Sequence, residues 1–204
     1  MVIAEDLTVD DLINIHSDIQ RRFNTVAVGI KNRGLLDSIV QRPNLNPYSH
    51  VPFRSIYAKC ASLVEGIIKW HPFIDGNKRT GLAAAYAYMH KNNYNIMLPF
   101  NAVRFSVLIA QDKKDIHQIS NWIRSISAKD DKIFDKKFEK QVVKPSRKLI
   151  DIYHSGSKDK AKRILDKWLA CDIYPEYKSE ISQTLDFLSD LVHRYSKESN
   201  NKSL

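Results

Sequence analysis

One short stretch, residues 70–82, brings together side chains that could act on a bound anion. Its sequence is WHPFIDGNKRTGL, and the apolar run that follows at 82–89 predicts a buried helix. The polar groups would then stand at a helix N-terminus, where backbone N–H groups lack acceptors and the macrodipole adds positive charge. Gly76 lets the chain turn tightly and approach a ligand. Because Lys78 and Arg79 lie beside it, this helix start is predicted to bind phosphate.

Two further side chains turn this anion site into a candidate active site. The carboxylate of Asp75 would repel phosphate oxygens unless a cation lay between them, so it predicts a bridging Mg²⁺ ion. The imidazole of His71 titrates near neutral pH and can take a proton from an incoming hydroxyl. Pro72 is expected to stiffen the loop, and Phe73 to bury its ring. Each residue alone would suggest only a cap or a structural role, whereas together they indicate group transfer from a nucleotide to an alcohol.

Helical periodicity dominates the elements that must position this stretch, and it predicts an all-α fold. Thr8, followed by Asp11, predicts the cap of a first helix. One face of that helix carries Leu12, Ile15, His16 and Ile19. Further helices are predicted at 34–41, at 53–69, from the stretch to about Lys91, at 99–110 with Pro99 in its first turn, and at 115–126; a loop or small hairpin is predicted at 42–52 and an extended piece at 94–99.

Residues 128–204 are predicted to form a helical extension of the domain at 1–127. The extension begins with a charge-dense segment, and Pro145 and residues 154–160 are expected to interrupt regular structure. Amphipathic helices are predicted at about 158–171 and 176–196. Nothing in the sequence assigns a role to this part of the chain.

Composition indicates a globular protein and argues against several classes of partner. The chain has 204 residues, of which 43% are hydrophobic and 27% charged, and its net charge is +9. Basic residues alternate with acidic ones and form no dense tract, so nucleic acid is not the expected partner. The two cysteines lack metal-ligand spacing and are expected to be reduced. Because no apolar stretch approaches the roughly 20 residues of a membrane span and the N-terminal residues lack a leader pattern, we expect a cytoplasmic protein.

Residues 71–80, HPFIDGNKRT, resemble the signature of the Fic family, HxFx(D/E)GNxR. The resemblance is closer to its Doc (death-on-curing) branch, in which lysine follows the asparagine. The segments LTVDDLINIH and GLLDSIV also resemble Doc, so that the similarity covers about residues 5–127. It implies an all-α Fic fold, a helical bundle with a small flap hairpin or loop.

The resemblance also implies roles for individual residues. His71 would be the general base and Asp75 the Mg²⁺ ligand. The N–H groups around Gly76 and Asn77 would form the anion hole, and Lys78 with Arg79 would hold the phosphates of ATP. The loop at 42–54 would correspond to the flap, which pairs with a target segment by strand addition. Its candidate docking residues are Asn46, Tyr48, His50, Phe53 and Arg54.

Two departures from the pattern of AMP-transferring Fic enzymes bear on the reaction. Those enzymes usually have glycine after the asparagine and a second arginine three residues beyond the first, whereas this sequence has Lys78 and Leu82. Leucine cannot pair with phosphate, so ATP is expected to present its γ-phosphate to the hydroxyl. Doc-like toxins have this pattern and phosphorylate a threonine of elongation factor Tu, which makes this chain the expected toxin of a toxin–antitoxin pair.

Two alternatives remain at this level: a Fic enzyme that transfers AMP or another nucleotide to a protein hydroxyl, and a scaffold that binds a nucleotide or partner without catalysis. Intact His71 and Asp75 argue against the scaffold. The sequence lacks the (S/T)xxxE(G/N) motif of the inhibitory helix found in many Fic proteins. Control is therefore expected from a separate antitoxin chain, or from the extension by another route.

Overall fold

A computed structural model describes residues 4–23, 29–45, 52–99, 101–169 and 189, and within them the chain is mainly helical. The all-α class predicted from periodicity is confirmed. The helices are α1 (Val9–Phe23), α2 (Arg33–Gln41), α3 (Ile56–Trp70), α4 (Asn77–Lys91), α5 (Ala102–Ala110), α6 (Ile116–Ser125), α7 (Asp131–Phe138), α8 (Lys144–His154) and α9 (Lys158–Leu169). Two short strands, β1 (Asn95–Ile96) and β2 (Ser127–Ala128), pair antiparallel.

The described residues fall into two compact units. One comprises those up to Leu98 together with Phe105–Phe134, and the other comprises Pro99–Arg104 with those from Asp135 onward. Among the described residues, no helix is both long and apolar enough to cross a membrane.

The core of the first unit forms where α3 packs against α4 and α6. Apolar side chains of α3 such as Leu63, Ile67 and Ile68 are fully buried there. Gly81 allows the close approach of α3 and α4, since a Cβ atom at this position would lie 2.7 Å from Cγ1 of Ile68. Any larger residue at position 81 would force these helices apart. The packing thereby fixes the end of α3 relative to the beginning of α4.

Local capping signals place two helices of this unit as predicted. Asp11 N–H donates to Oγ1 of Thr8 at 3.1 Å, and Thr8 N–H donates to the Asp11 carboxylate at 2.8 Å, which confirms the cap of α1. Asp115 and Gln118 form the same reciprocal arrangement before α6. The amide of Asn92 at the end of α4 bonds both backbone groups of Glu5 at 2.9 Å. The segment before α1 is thereby joined to α4.

Two helix starts differ from the sequence predictions, and one helix was not predicted. Helix α3 begins at Ile56 and not at Phe53, because the Ser55 side chain accepts a hydrogen bond from Ala58 N–H and caps the helix there. The helix predicted from Pro99 begins at Ala102, whose N–H donates to the Pro99 carbonyl in the preceding turn. Helix α7 occupies the charge-dense segment where no helix was predicted. Its first turn is capped by Asp130, whose carboxylate accepts from Ile133 N–H.

The expected interruption at Pro145 is wrong, because the proline lies in the first turn of α8. A π-helical turn at Glu139–Val143 leads directly into that helix. Proline is tolerated in a first turn since its missing N–H is not required there.

In the second unit α8 packs against α9, around a small core of Leu149, Ala161 and Leu165. Helix α9 corresponds to the helix predicted at 158–171, and residues 170 and 171 lie outside the described residues. The predicted helix at 176–196 also falls outside them, apart from position 189.

Candidate active site

The loop between α3 and α4 turns on two residues in the left-handed backbone region. His71 caps the C-terminus of α3 with φ 50° and ψ 60°, and Gly76 caps the N-terminus of α4 with φ 76° and ψ 3°. Glycine adopts this conformation without strain, whereas histidine does so at a cost. Hydrogen bonds to the backbone of the next two residues, Pro72 and Phe73, hold the chain after His71 in place. Such strain is characteristic of functional positions.

Asn77 fixes the interior of this loop with its side-chain amide. Its Oδ1 accepts from Phe73 N–H at 3.0 Å, and its Nδ2 donates to the Phe73 carbonyl at 2.8 Å. The amide is buried, so both polar groups of the Phe73 backbone are satisfied without water. The Asn77 side chain therefore shapes the loop, and only its backbone N–H is available for the anion role predicted from the sequence.

A second segment, residues 29–32, pairs with the outside of the loop. Ile74 N–H donates to the Gly29 carbonyl at 3.0 Å, and Lys31 N–H donates to the Pro72 carbonyl at 2.7 Å. Ile30 and Phe73 form an isolated antiparallel bridge between them. This pairing was not predicted from the sequence. It brings the positive charge of Lys31 near the imidazole of His71, where it affects the titration of that ring.

The environment of His71 favours the neutral imidazole that a general base requires. Solvent can reach the side chain. Partial burial, and then the positive charges of Lys78 and Lys31, lower the pKa of His71 below its usual value. Near pH 7 the ring is therefore deprotonated and able to accept a proton.

Asp75 presents an exposed carboxylate beside the start of α4. Its Oδ1 accepts from Gly76 N–H at 2.6 Å. Among the residues that the structure describes, no group of three or more His, Cys, Asp or Glu side chains could hold a metal by itself. Mg²⁺ is commonly bound by one or two carboxylates together with substrate phosphates and waters. A single exposed carboxylate beside a helix N-terminus fits that mode of binding.

The first turn of α4 has the properties of an anion cradle. Gly76, the N-cap, has no side chain that could compete with a ligand for the first N–H groups of the helix, while its own N–H donates to Asp75. Lys78 and Arg79 follow, half-buried, and both already take part in interactions within the chain. Leu82, one turn further, is 6% exposed and belongs to the core. Position 82 therefore contributes packing, consistent with the departure noted in the sequence.

The candidate flap is described only at its C-terminal end. Asn46, Tyr48 and His50 lie outside the described residues, and Arg54 is exposed. The Phe53 ring lies 5.6 Å from the guanidinium carbon of Arg42, which in turn lies 5.1 Å from the ring of Trp70. This guanidinium also pairs with Glu65 at 2.6 Å. Arg42 thus connects the end of the flap to the helix that His71 caps.

Two residues that were not assigned to the site from the sequence complete the packing of the loop. The ring of His16 on α1 stacks on Phe73, with centroids 3.8 Å apart and planes 12° from parallel. Its Nδ1 lies 3.1 Å from Oγ1 of Thr80 in a buried hydrogen bond. The available signals were a histidine on the apolar face of α1 and a threonine at the end of the motif. Sequence alone could not show that these two residues meet.

Comparison with known proteins finds similarity in the part of the chain that contains the loop. Residues 6–89 match the model of the Fic/DOC family, a range that includes the whole of 71–80. The chain is 33% identical over 75 residues to a protein named Toxin Doc from Mycolicibacterium smegmatis. That alignment covers 37% of this chain and 58% of the length of the relative.

Proposed function

We propose that this chain, whose residues 6–89 match the Fic/DOC family model, transfers the γ-phosphoryl group of ATP to a Ser or Thr hydroxyl of a protein. The observation that carries this proposal is the placement of a neutral, accessible His71 one short loop away from the uncapped start of α4. Base and phosphate cradle are then parts of a single rigid turn. Such an arrangement favours transfer by positioning both reactants.

In this reaction His71 removes the proton of the target hydroxyl as its oxygen attacks the γ-phosphorus. A new bond forms between that oxygen and phosphorus, and the bond from phosphorus to the β–γ bridging oxygen breaks. ADP leaves with the bridging oxygen. The lowered pKa of His71 keeps the imidazole able to accept the proton near neutral pH.

The N–H groups at the start of α4 and the cations of Lys78 and Arg79 would bind the phosphates. Asp75 would hold Mg²⁺, which when bound neutralises phosphate charge and orients the oxygens. The loop bonds of Asn77 keep Asp75 and the helix start in fixed relation. Little rearrangement is then needed when ATP binds.

The choice of γ-phosphoryl over nucleotidyl transfer rests on residues 78 and 82. Leu82 is buried and offers no charge at the position where an AMP-transferring relative places its second arginine. Lys78 occupies space that glycine would leave open in such a relative. Phosphate binding is therefore concentrated at the beginning of α4, which favours a pose that presents the terminal phosphate.

The biological setting follows from the same resemblance. The curated relative is named a toxin, and we propose that this chain is likewise the toxin of a toxin–antitoxin pair that acts in the cytoplasm. By resemblance to Doc, its proposed target is a threonine of elongation factor Tu. An antitoxin supplied as a separate chain is the proposed means of control.

The decisive experiment compares ATP labelled at the α- or the γ-phosphate, with purified elongation factor Tu and with whole lysate as acceptors. We expect γ-label on protein in the presence of Mg²⁺, and none with His71→Ala. Transfer of the α-label instead would show nucleotidyl transfer and overturn the phosphoryl assignment. Nucleotide binding without transfer of either label would indicate a non-catalytic scaffold.

A further inference from the structure

We propose that His16 is a positioning residue for the transfer reaction: from α1 it holds loop 72–76 in the shape that presents His71 and Asp75. This inference rests on the proposed function, and it assigns to that function a residue outside the motif. His16 is assigned no contact with the nucleotide or the target, so its effect on the reaction would pass through the loop.

The first contact is the stack between His16 and Phe73. The rings lie 3.8 Å apart and nearly parallel, and Phe73 is fully buried. The Phe73 backbone is at the same time bonded on both sides by the Asn77 amide. Phe73 therefore has little freedom to move without moving the imidazole of His16 as well.

The same imidazole also contacts the second half of the loop. Its Nδ1 is hydrogen-bonded to Thr80 in the first turns of α4. A Cβ atom at Gly76 would lie 3.4 Å from Cε1 and 3.6 Å from Nδ1 of the ring, so the imidazole lies beside the turn at Gly76. The side chain of His16 thus lies against the loop at Phe73 and at Gly76, and against α4 at Thr80. Asp75 lies between the first two of these points.

The polar character of His16 is not explained by packing alone. The side chain is 3% exposed, and its Nε2 has no hydrogen-bond partner among the described residues. A phenylalanine would preserve the stack and would not bury an unsatisfied nitrogen. What only the imidazole provides is the bond to Thr80. Burial lowers the pKa of His16, partly opposed by Asp75, so the group that makes this bond is the neutral ring.

The test compares variants that separate the stack from the hydrogen bond. His16→Phe keeps the ring and loses the bond, whereas His16→Asn keeps a polar atom at the position of Nδ1. Thr80→Val removes the hydroxyl from the other side. His117→Asn, on the exposed surface of α6, is the matched control. Each full-length variant is assayed for kcat and KM of label transfer from ATP, and for melting temperature.

Loss of the Thr80 bond should shift the loop, and a shift of roughly 1 Å can lower a rate about 10²-fold. We expect His16→Phe to melt close to the wild-type temperature, because removal of the unsatisfied Nε2 offsets the loss of a partner for the Thr80 hydroxyl. It should lose about 10- to 100-fold in kcat, with the KM for ATP changed less than about threefold. Thr80→Val should reproduce that loss, and the double variant should add little to it. His16→Asn should recover part of the activity.

Unchanged kcat in His16→Phe would overturn the proposal, because the stack alone would then suffice. So would a loss of kcat that only follows a lower melting temperature. The comparison holds for whichever label wild type transfers, so failure of the phosphoryl assignment is seen separately.

If wild type transfers neither label, amide exchange measured by NMR decides. His16→Phe should accelerate exchange at Phe73 and Ile74, whose N–H groups are bonded in the wild type. Unaltered exchange at both would overturn the positioning role.

Discussion

Replacing His71 with glycine should make the protein more stable and inactive at the same time. The residue sits at φ 50° and ψ 60°, a conformation that costs a non-glycine residue about 1–2 kcal/mol. Glycine removes this cost, but its greater freedom in the unfolded chain offsets about 0.5–1 kcal/mol of the stability gained. Relative to His71→Ala, which retains the strain, His71→Gly should therefore be more stable by up to about 1.5 kcal/mol, with a midpoint of about 0.75 kcal/mol. Both variants should lose roughly 10²–10⁴ in rate, because each removes the base.

Urea denaturation of the two variants beside wild type measures the stability difference, and label transfer measures the rate. Asn93→Gly provides a matched control, since Asn93 also has a left-handed backbone, φ 62°, and is not part of the loop. It should gain stability, by less because asparagine tolerates this region, and should keep full activity. A glycine variant at 71 no more stable than the alanine variant would show that the backbone there is unstrained. Retained transfer in either would remove His71 from the mechanism.

Three further perturbations address other parts of the site. Lys31→Gln removes one of the charges that lower the pKa of His71, so that pKa should rise and the acid limb of a pH profile of kcat/KM should move to higher pH. Lys113→Gln is the control, and an acid limb at the same pH in both variants would contradict this electrostatic role. Asp75→Asn keeps an oxygen that accepts from Gly76 N–H and removes the negative charge. Calorimetry should then show weaker ATP binding in the presence of Mg²⁺ but not in EDTA, and an equal loss of ATP affinity in both conditions would exclude a metal role for Asp75. Asn77→Ala leaves two buried backbone groups of Phe73 without partners and should destabilise the protein by about 2–4 kcal/mol in urea denaturation. Asn121→Ala, at an exposed position of α6, should have almost no effect, and a small effect of Asn77→Ala would mean that water replaces the amide.

Features encoded by neighbouring residues were predictable from the sequence. The cap formed by Thr8 and Asp11 and the start of α6 at Asp115 depend on side chains that bond within one turn of themselves. Their sequence pattern is the physical cause of the structure. The start of α4 at Asn77 was predictable for the same reason, since Gly76 and the apolar run of the helix adjoin it in the sequence.

Features that depend on context were not predictable. Pro145 was expected to break the chain, but a preceding π-helical turn places it where its missing N–H is tolerated. The pairing of residues 29–32 with the loop involves a segment that has no helical pattern and only one glycine. The contact between His16 and Thr80 joins residues 64 positions apart. None of these follows from local propensity, because each is set by how the elements pack.

The crowding of polar side chains at the start of α4 is explained by a division of the loop into two sets. The residues that are buried are those that shape it: Pro72, Phe73, Gly76, Asn77 and Thr80. The residues that could meet a nucleotide or a hydroxyl are exposed or half-buried: His71, Asp75, Lys78 and Arg79. The buried polar side chains of the first set form hydrogen bonds within the protein, so they could bind a ligand only if the bonds that hold the loop were broken. A loop that only capped a helix would need a single polar side chain. A binding site on a flexible loop would need only the exposed and half-buried residues of the second set. The presence of both sets, interleaved along ten residues, is the arrangement expected of a turn that must stay rigid while its outer face performs chemistry.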